Sequence, residues 1–311
     1  MKNKNGIYRK SITNYFLIAS LVIFISLTGC NKNNDNIISS SSTEESIEAE
    51  ASSSKNSAES VNTATDAFTY LTQIANGITV NTSGCPTIIA TSTSGTTWTI
   101  SVDYGSTPCM TISDSIRRSG KYLIYGFISP SRDSVYGSLT FPSESPYKIY
   151  RVKGYSSDTN YVKVQNTSPA LFTFIAGKRI DTSNFRGNFS INNIFTTNTG
   201  IAKTINLSLS INANLGVLNV FSDDSYYIKG AGAILDNRYG VQFAYLITDS
   251  LNVRTDCRYP LRGKAGLTYQ AGGIQTVTYV DFYPNSGACD GVVTFFKGAF
   301  SKNVNLDSQE N

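Results

Sequence analysis

Alternation of apolar and polar residues dominates the chain from Cys85 onward. Between Ile201 and Leu215 the odd positions are Ile201, Lys203, Ile205, Leu207, Leu209, Ile211, Ala213 and Leu215, and every even position except Ala202 is polar. A period of two predicts a half-buried strand or strand pair. The same pattern recurs at Val135, Leu139 and Phe141, at Phe172, Phe174 and Ala176, and at Val241, Phe243, Tyr245 and Ile247. Tyr122 to Ile128 is apolar on both faces and is expected in the centre of a sheet. Ser129-Pro130-Ser131, Ser143-Glu144-Ser145-Pro146, Asp236-Asn237-Arg238 and Gly272-Gly273 supply the turns between these runs. Roughly 12–16 strands at this spacing predict an all-β fold, an antiparallel sandwich or a strongly twisted barrel-like meander. One short N-terminal helix is expected over 66–76. There Asp66 would cap a turn or two carrying Phe68, Leu71 and Ile74 on one face, ending at Asn76-Gly77. A transmembrane β-barrel shares the alternation, but an anchor and a tether would be redundant on it.

The N-terminal pattern differs. Lys2, Lys4, Arg9 and Lys10 precede an apolar run from Tyr15 to Leu27. That run is shorter than the ~20 residues a membrane-spanning helix needs, so residues 1–29 read as a cleaved secretory signal. It ends in Leu27-Thr28-Gly29-Cys30, which looks like a lipobox with Cys30 as the acylated residue. Residues 31–65 hold ten Ser, six acidic groups and two Lys with almost no aliphatic pattern. With Cys30 they are expected to form a disordered tether, because such a segment buries too little to offset its chain entropy. The β domain is then 66–311.

Composition narrows the function classes. The chain has 26 basic and 22 acidic side chains. The four cations of the signal account for the whole excess, and the rest carries no basic run longer than Arg117-Arg118. No nucleic-acid partner is therefore expected. The chain has no His, which excludes imidazole bases and a Ser-His-Asp triad. Cys30 leaves Cys85, Cys109, Cys257 and Cys289. Four cysteines allow three connectivities. Local pairing, Cys85 with Cys109 and Cys257 with Cys289, is favoured because each pair brackets one hairpin-like unit. The absence of Cys-x-x-Cys and of His speaks against zinc, so no metal or other cofactor is expected.

The two cysteine units are alike. Ile100-Ser101-Val102-Asp103-Tyr104-Gly105 leads to Cys109 and Arg117-Arg118-Ser119-Gly120-Lys121. Val280-Asp281-Phe282-Tyr283 leads to Cys289-Asp290, with Arg262-Gly263-Lys264 upstream. Together with the lipobox and Cys85-Pro86, this pattern resembles a group of uncharacterised Bacteroidetes lipoproteins. The resemblance brackets residues 85–300 and implies an exported, membrane-anchored all-β protein of the cell envelope. It brings no activity with it. Asn31-Lys32, without an Asp after the cysteine, is similar to lipoproteins sent to the outer membrane, with surface exposure as one orientation.

Candidate chemistry is sparse. Asp223-Asp224 could pair as acid and base but sits in a turn. Asp103 and Asp281, at equivalent strand ends, are expected to accept turn N–H bonds. Tyr147, Tyr150, Tyr155 and Tyr161 cluster beside Lys148, Arg151, Lys153 and Lys163, a candidate glycan-binding face. Asp114-Ser115, Asp133-Ser134 and Asp249-Ser250, each followed by an aliphatic residue, are similar to an O-glycosylation sequon, so Ser115, Ser134 and Ser250 are candidate attachment sites. The reading is a non-enzymatic binding or structural lipoprotein with a glycan or envelope-protein partner. The alternatives are a carrier of a hydrophobic or lipid ligand and a glycan-active enzyme using carboxylates.

Overall fold

The computed structural model describes residues 43–306, except 112–115, 132, 151–159, 176–185, 215–223, 255, 258, 272–273 and 284–288. The signal, Cys30, the first part of the expected tether, Ser115, Tyr155, Ala176, Asp223 and Gly272-Gly273 lie outside the described residues.

Among the described residues the fold is one helix, α1 (Thr43–Ala75), followed by seventeen strands. They are β1 (Thr87–Ser92), β2 (Thr97–Asp103), β3 (Cys109–Met110), β4 (Arg117–Ser119), β5 (Lys121–Ile128) and β6 (Ser134–Thr140). Then come β7 (Tyr147–Tyr150), β8 (Tyr161–Asn166), β9 (Ala170–Ile175), β10 (Arg186–Thr197), β11 (Ala202–Asn214) and β12 (Ser225–Asp236). The chain closes with β13 (Val241–Arg254), β14 (Arg262–Ala271), β15 (Ile274–Asp281), β16 (Val292–Lys297) and β17 (Phe300–Asn305). Every pairing is antiparallel. The main ladder runs β1–β2–β5–β6–β9–β10 and then in chain order to β17. A branch, β3–β4–β7–β8, joins β10 at Asn193–Thr197, beyond the stretch Arg186–Ser190 that holds β9. Among the described residues β1 pairs only with β2 and β17 only with β16, so the sheet is open.

Period two explains the strands. In β11 the odd positions are buried, and Leu207 and Leu209 face Ile191 and Phe189 of β10. Lys203, the polar residue in that apolar series, is also buried, with Nζ 2.8 Å from the Asp236 carboxylate. β5 lies between β2 and β6, as its apolar character predicts. Its inward Tyr122, Ile124 and Ile128 are buried, while Tyr125 and Phe127 point out and are exposed. The outward faces of β10 and β11 carry Asn188, Ser190, Asn206, Ser208 and Ser210. No described helix is long and apolar enough to cross a membrane.

The helix corrects the expectation for 31–65. It spans Thr43–Ala75 rather than 66–76, so residues 43–65 are helical and not a disordered tether. The cause is enclosure by the sheet. Ala51, Ser53, Ser54, Ser57, Ala58 and Ser60 are all buried, and their small side chains let strands approach from every side. Five of its polar side chains bond groups on five different strands, while the buried Ser53 and Ser54 hydroxyls bond none among the described residues. Thr278 of β15 donates to Glu50 at 2.9 Å, Lys203 of β11 to Ser52 at 2.5 Å, and Asn193 of β10 to Ser60 at 3.2 Å. Tyr122 of β5 donates to Asp66 at 2.8 Å, and Thr69 bonds Tyr226 of β12 at 2.5 Å. The apolar end of the helix seats Phe68 over Gly187 and Leu71 over Gly126, where an added Cβ would lie 2.2 and 2.4 Å from those side chains. The helix ends as predicted. Ile78 N–H bonds the Gln73 carbonyl and Gly77 N–H bonds Ile74, with Gly77 at φ 79°, a Schellman close.

Candidate ligand cavity

One stripe of α1 escapes burial over its central turns. Asn62, Thr63, Asp66 and Tyr70 are half-buried while Val61, Ala64, Ala67 and Phe68 are fully buried. Spacings of three and four place these residues on one face. That face lines a cavity of about 310 Å³, at the small end of the ~300–1,000 Å³ usual for ligand pockets.

The sheet supplies the other walls. Arg118 enters from β4, Tyr147 from β7 and Tyr104 from the end of β2, with Arg254, Asp256 and Cys257 at one rim and Thr82, Pro86 and Ile88 at another. Arg118 donates to Thr111 Oγ1 at 2.9 Å, stands 3.9 Å from Glu59 and lies 5.8 Å from the centre of the Tyr104 ring. Arg254 is bidentate to Asp256, with Nε donating to Oδ1 at 2.7 Å. That bond holds the Arg254 guanidinium above its usual range. Burial, then the Asp66 carboxylate, pushes the Tyr70 and Tyr122 hydroxyls well above the ordinary tyrosine range. Burial and the neighbouring Tyr147 do the same for Tyr104. These hydroxyls therefore stay protonated and act as hydrogen-bonding groups rather than bases.

The motifs singled out in the sequence converge here. Cys85 is bonded to Cys109 and Cys257 to Cys289, the local pairing expected, and the loops they close hold β1–β2 and β14–β15. In the first unit Asp103 accepts the Gly105 N–H at 2.7 Å and pairs in register with Lys121. In the second Asp281 accepts the Tyr283 N–H at 3.0 Å and pairs in register with Lys264, at 3.2 Å. Both aspartates thus serve turns, as expected. Gly120 and Gly263 sit opposite them at φ 76° and 111°, and their carbonyls accept the N–H of Tyr104 and Phe282. The units differ in which basic residue turns inward. Arg118 lies three residues before its register lysine and is buried; Arg262 lies two before and is exposed, 5.0 Å from the centre of the Tyr283 ring.

No family model, curated protein or solved structure matches this chain.

The remaining candidates are scattered. The tyrosine cluster is not an open face. Tyr147 and Tyr150 are buried: Tyr147 stacks on Phe141 at 5.5 Å and Tyr150 bonds Ser119 at 3.1 Å. The two-residue period of β7 turns Tyr147 inward and sends Lys148 out to lie 4.4 Å from the centre of the half-buried Tyr161 ring; Tyr150 breaks that period and is buried with its hydroxyl on Ser119. Ser134 is half-buried at the start of β6 with Oγ on Asp133 at 3.1 Å, and Ser250 is half-buried within β13. Asp224 is buried. Asp256, Cys257 and Cys289 lie close together, but the two sulfurs are bonded to each other and offer no thiolate. Sequence reading missed Glu59, Asn62 and Thr63 as site residues because the buried face beside them is built of the small Ala58, Val61 and Ala64, and it took Asp66 for a helix cap. Of the tyrosines taken as a ligand face, Tyr147 does line the cavity, beside Arg118 of the Arg117-Arg118 step.

Proposed function

We propose that the chain is a lipoprotein of the cell envelope, anchored through Cys30, whose β domain is a non-enzymatic binding module with the cavity beside α1 as its ligand site. The observation that carries this reading is that Asn62, Thr63, Asp66 and Tyr70 stay open while the other described side chains of 47–75 are buried, and that this stripe faces a cavity of mixed charge. The carrier reading has less support, because α1 occupies the interior and brings Glu50, Lys55 and Glu59 with it. The enzyme reading has less support because Glu59 and Asp66 are seven residues apart, about 10 Å of helical rise. Each is also held, by Arg118 and Tyr122 respectively.

Anchoring is tested by metabolic labelling with radioactive palmitate. The wild-type chain is expected to carry label and to sediment with membranes, and Cys30→Ala to lose both. A labelled, membrane-bound Cys30→Ala product would refute the anchor. Release of nitrophenol from a panel of nitrophenyl glycosides, abolished by Asp66→Asn, would replace the binding module with a hydrolase.

A further inference from the structure

Resting on the cavity as ligand site, we infer that its ligand is a neutral, hydroxylated ring of about monosaccharide size. Charge selects this class. Within the cavity Arg118 is set against Glu59 and Arg254 against Asp256. An anion would meet the carboxylates of Glu59 and Asp66, and a cation the guanidinium of Arg118. A purely apolar ligand would strip water from Asp66, Thr63 and Asn62 without replacing its hydrogen bonds, which opposes binding. A polyhydroxyl ring avoids all three penalties. Each hydroxyl both donates and accepts, so adjacent hydroxyls can give protons to Asp66 and to the oxygen of Thr63, whose own proton goes to the Glu59 carbonyl, and take them from Arg118. The rings of Tyr70, Tyr104 and Tyr147 supply apolar walls for the C–H faces of such a ring. The volume of about 310 Å³ admits one such ring.

The test is saturation-transfer NMR on the full acylated chain in detergent micelles, with a panel of methyl pyranosides, tetramethylammonium, benzoate and cyclohexane as probes of the four classes. At least one pyranoside is expected to bind. Asp66→Asn is expected to weaken it tenfold or more, as is Thr63→Val, which alters the stripe without touching the Tyr122 bond and so serves if Asp66→Asn unfolds. Tyr279→Ala, on the outer face, is expected to leave binding unchanged. Binding of a charged or apolar probe instead, lost in Thr63→Val, overturns the ligand class and keeps the cavity as a site. No binding by any class, or binding indifferent to both stripe variants, overturns the cavity reading as well.

Discussion

At the scale of the residue, the informative positions are those where the pattern breaks. Lys203 interrupts an apolar series and proves to be half of a buried ion pair with Asp236. Its place on the inward face was legible from period two; its partner, thirty-three residues away across the β11–β12 ladder, was not. Glu50 is the opposite case, an acid whose segment gave no sign of burial. It is fully enclosed, with Thr278 on one oxygen and Lys297 at 3.8 Å. Desolvation outweighs the pull of Lys297 and raises its pKa from 4.5 to about 7. A folded value above the unfolded one means the native state holds its proton longer. The associated stability is complete below pH 4.5 and is lost as pH rises through 7. Between pH 5 and 8 the loss is roughly 2–3 kcal/mol at 1.36 kcal/mol per unit. Thermal melts of the wild type are expected to fall across that interval by several degrees more than those of Glu50→Gln. Equal falls in the two proteins would show that Glu50 is not desolvated.

At the scale of the element, strands and helix were legible to different degrees for one reason. A strand buried on one face writes its environment as alternation, and β5, β6, β9, β11 and β13 all appear where alternation placed them. A helix normally writes its environment as an apolar stripe. α1 has such a stripe only near its end, at Phe68, Leu71 and Ile74, so only the last turns were expected. Asp66 read as a cap because it precedes that stripe; it lies mid-helix, bonded to Tyr122. Over 47–61 the partners are polar groups of the sheet, and composition alone cannot distinguish a polar helix inside a polar-lined sheet from a solvated coil. Native-state proteolysis separates the two. Trypsin is expected to leave the bond after Lys55 intact and Glu-C the bond after Glu59, until the protein is heated through its melt. A tether would be cut at both within minutes under native conditions.

At the scale of the whole molecule, the two disulfide units belong to one device. Their pairing was legible because each closes a local loop. Their meeting at one cavity was not, because it depends on β4 pairing with β7 and on the path of α1, neither of which has a local signature. Pro86 and Tyr104 come from the first unit, and Arg254, Asp256 and Cys257 flank the second. Each bridge removes roughly 3–4 kcal/mol of loop entropy from the unfolded chain, so losing either lowers the melting temperature. The consequence for binding is more specific. Without its bridge a rim segment is restrained only by its strand ends, and the cavity must be ordered at the moment of binding. That ordering opposes association. Paired replacement of Cys85 and Cys109 by serine, or of Cys257 and Cys289, is therefore expected to weaken the pyranoside complex at temperatures where far-ultraviolet circular dichroism still reports an intact sheet. Bridges that brace the fold alone would predict lower melting temperatures with affinity unchanged below the melt. The affinity of the two paired variants, measured well below their melting points, thus decides whether the disulfides serve the site or only the scaffold.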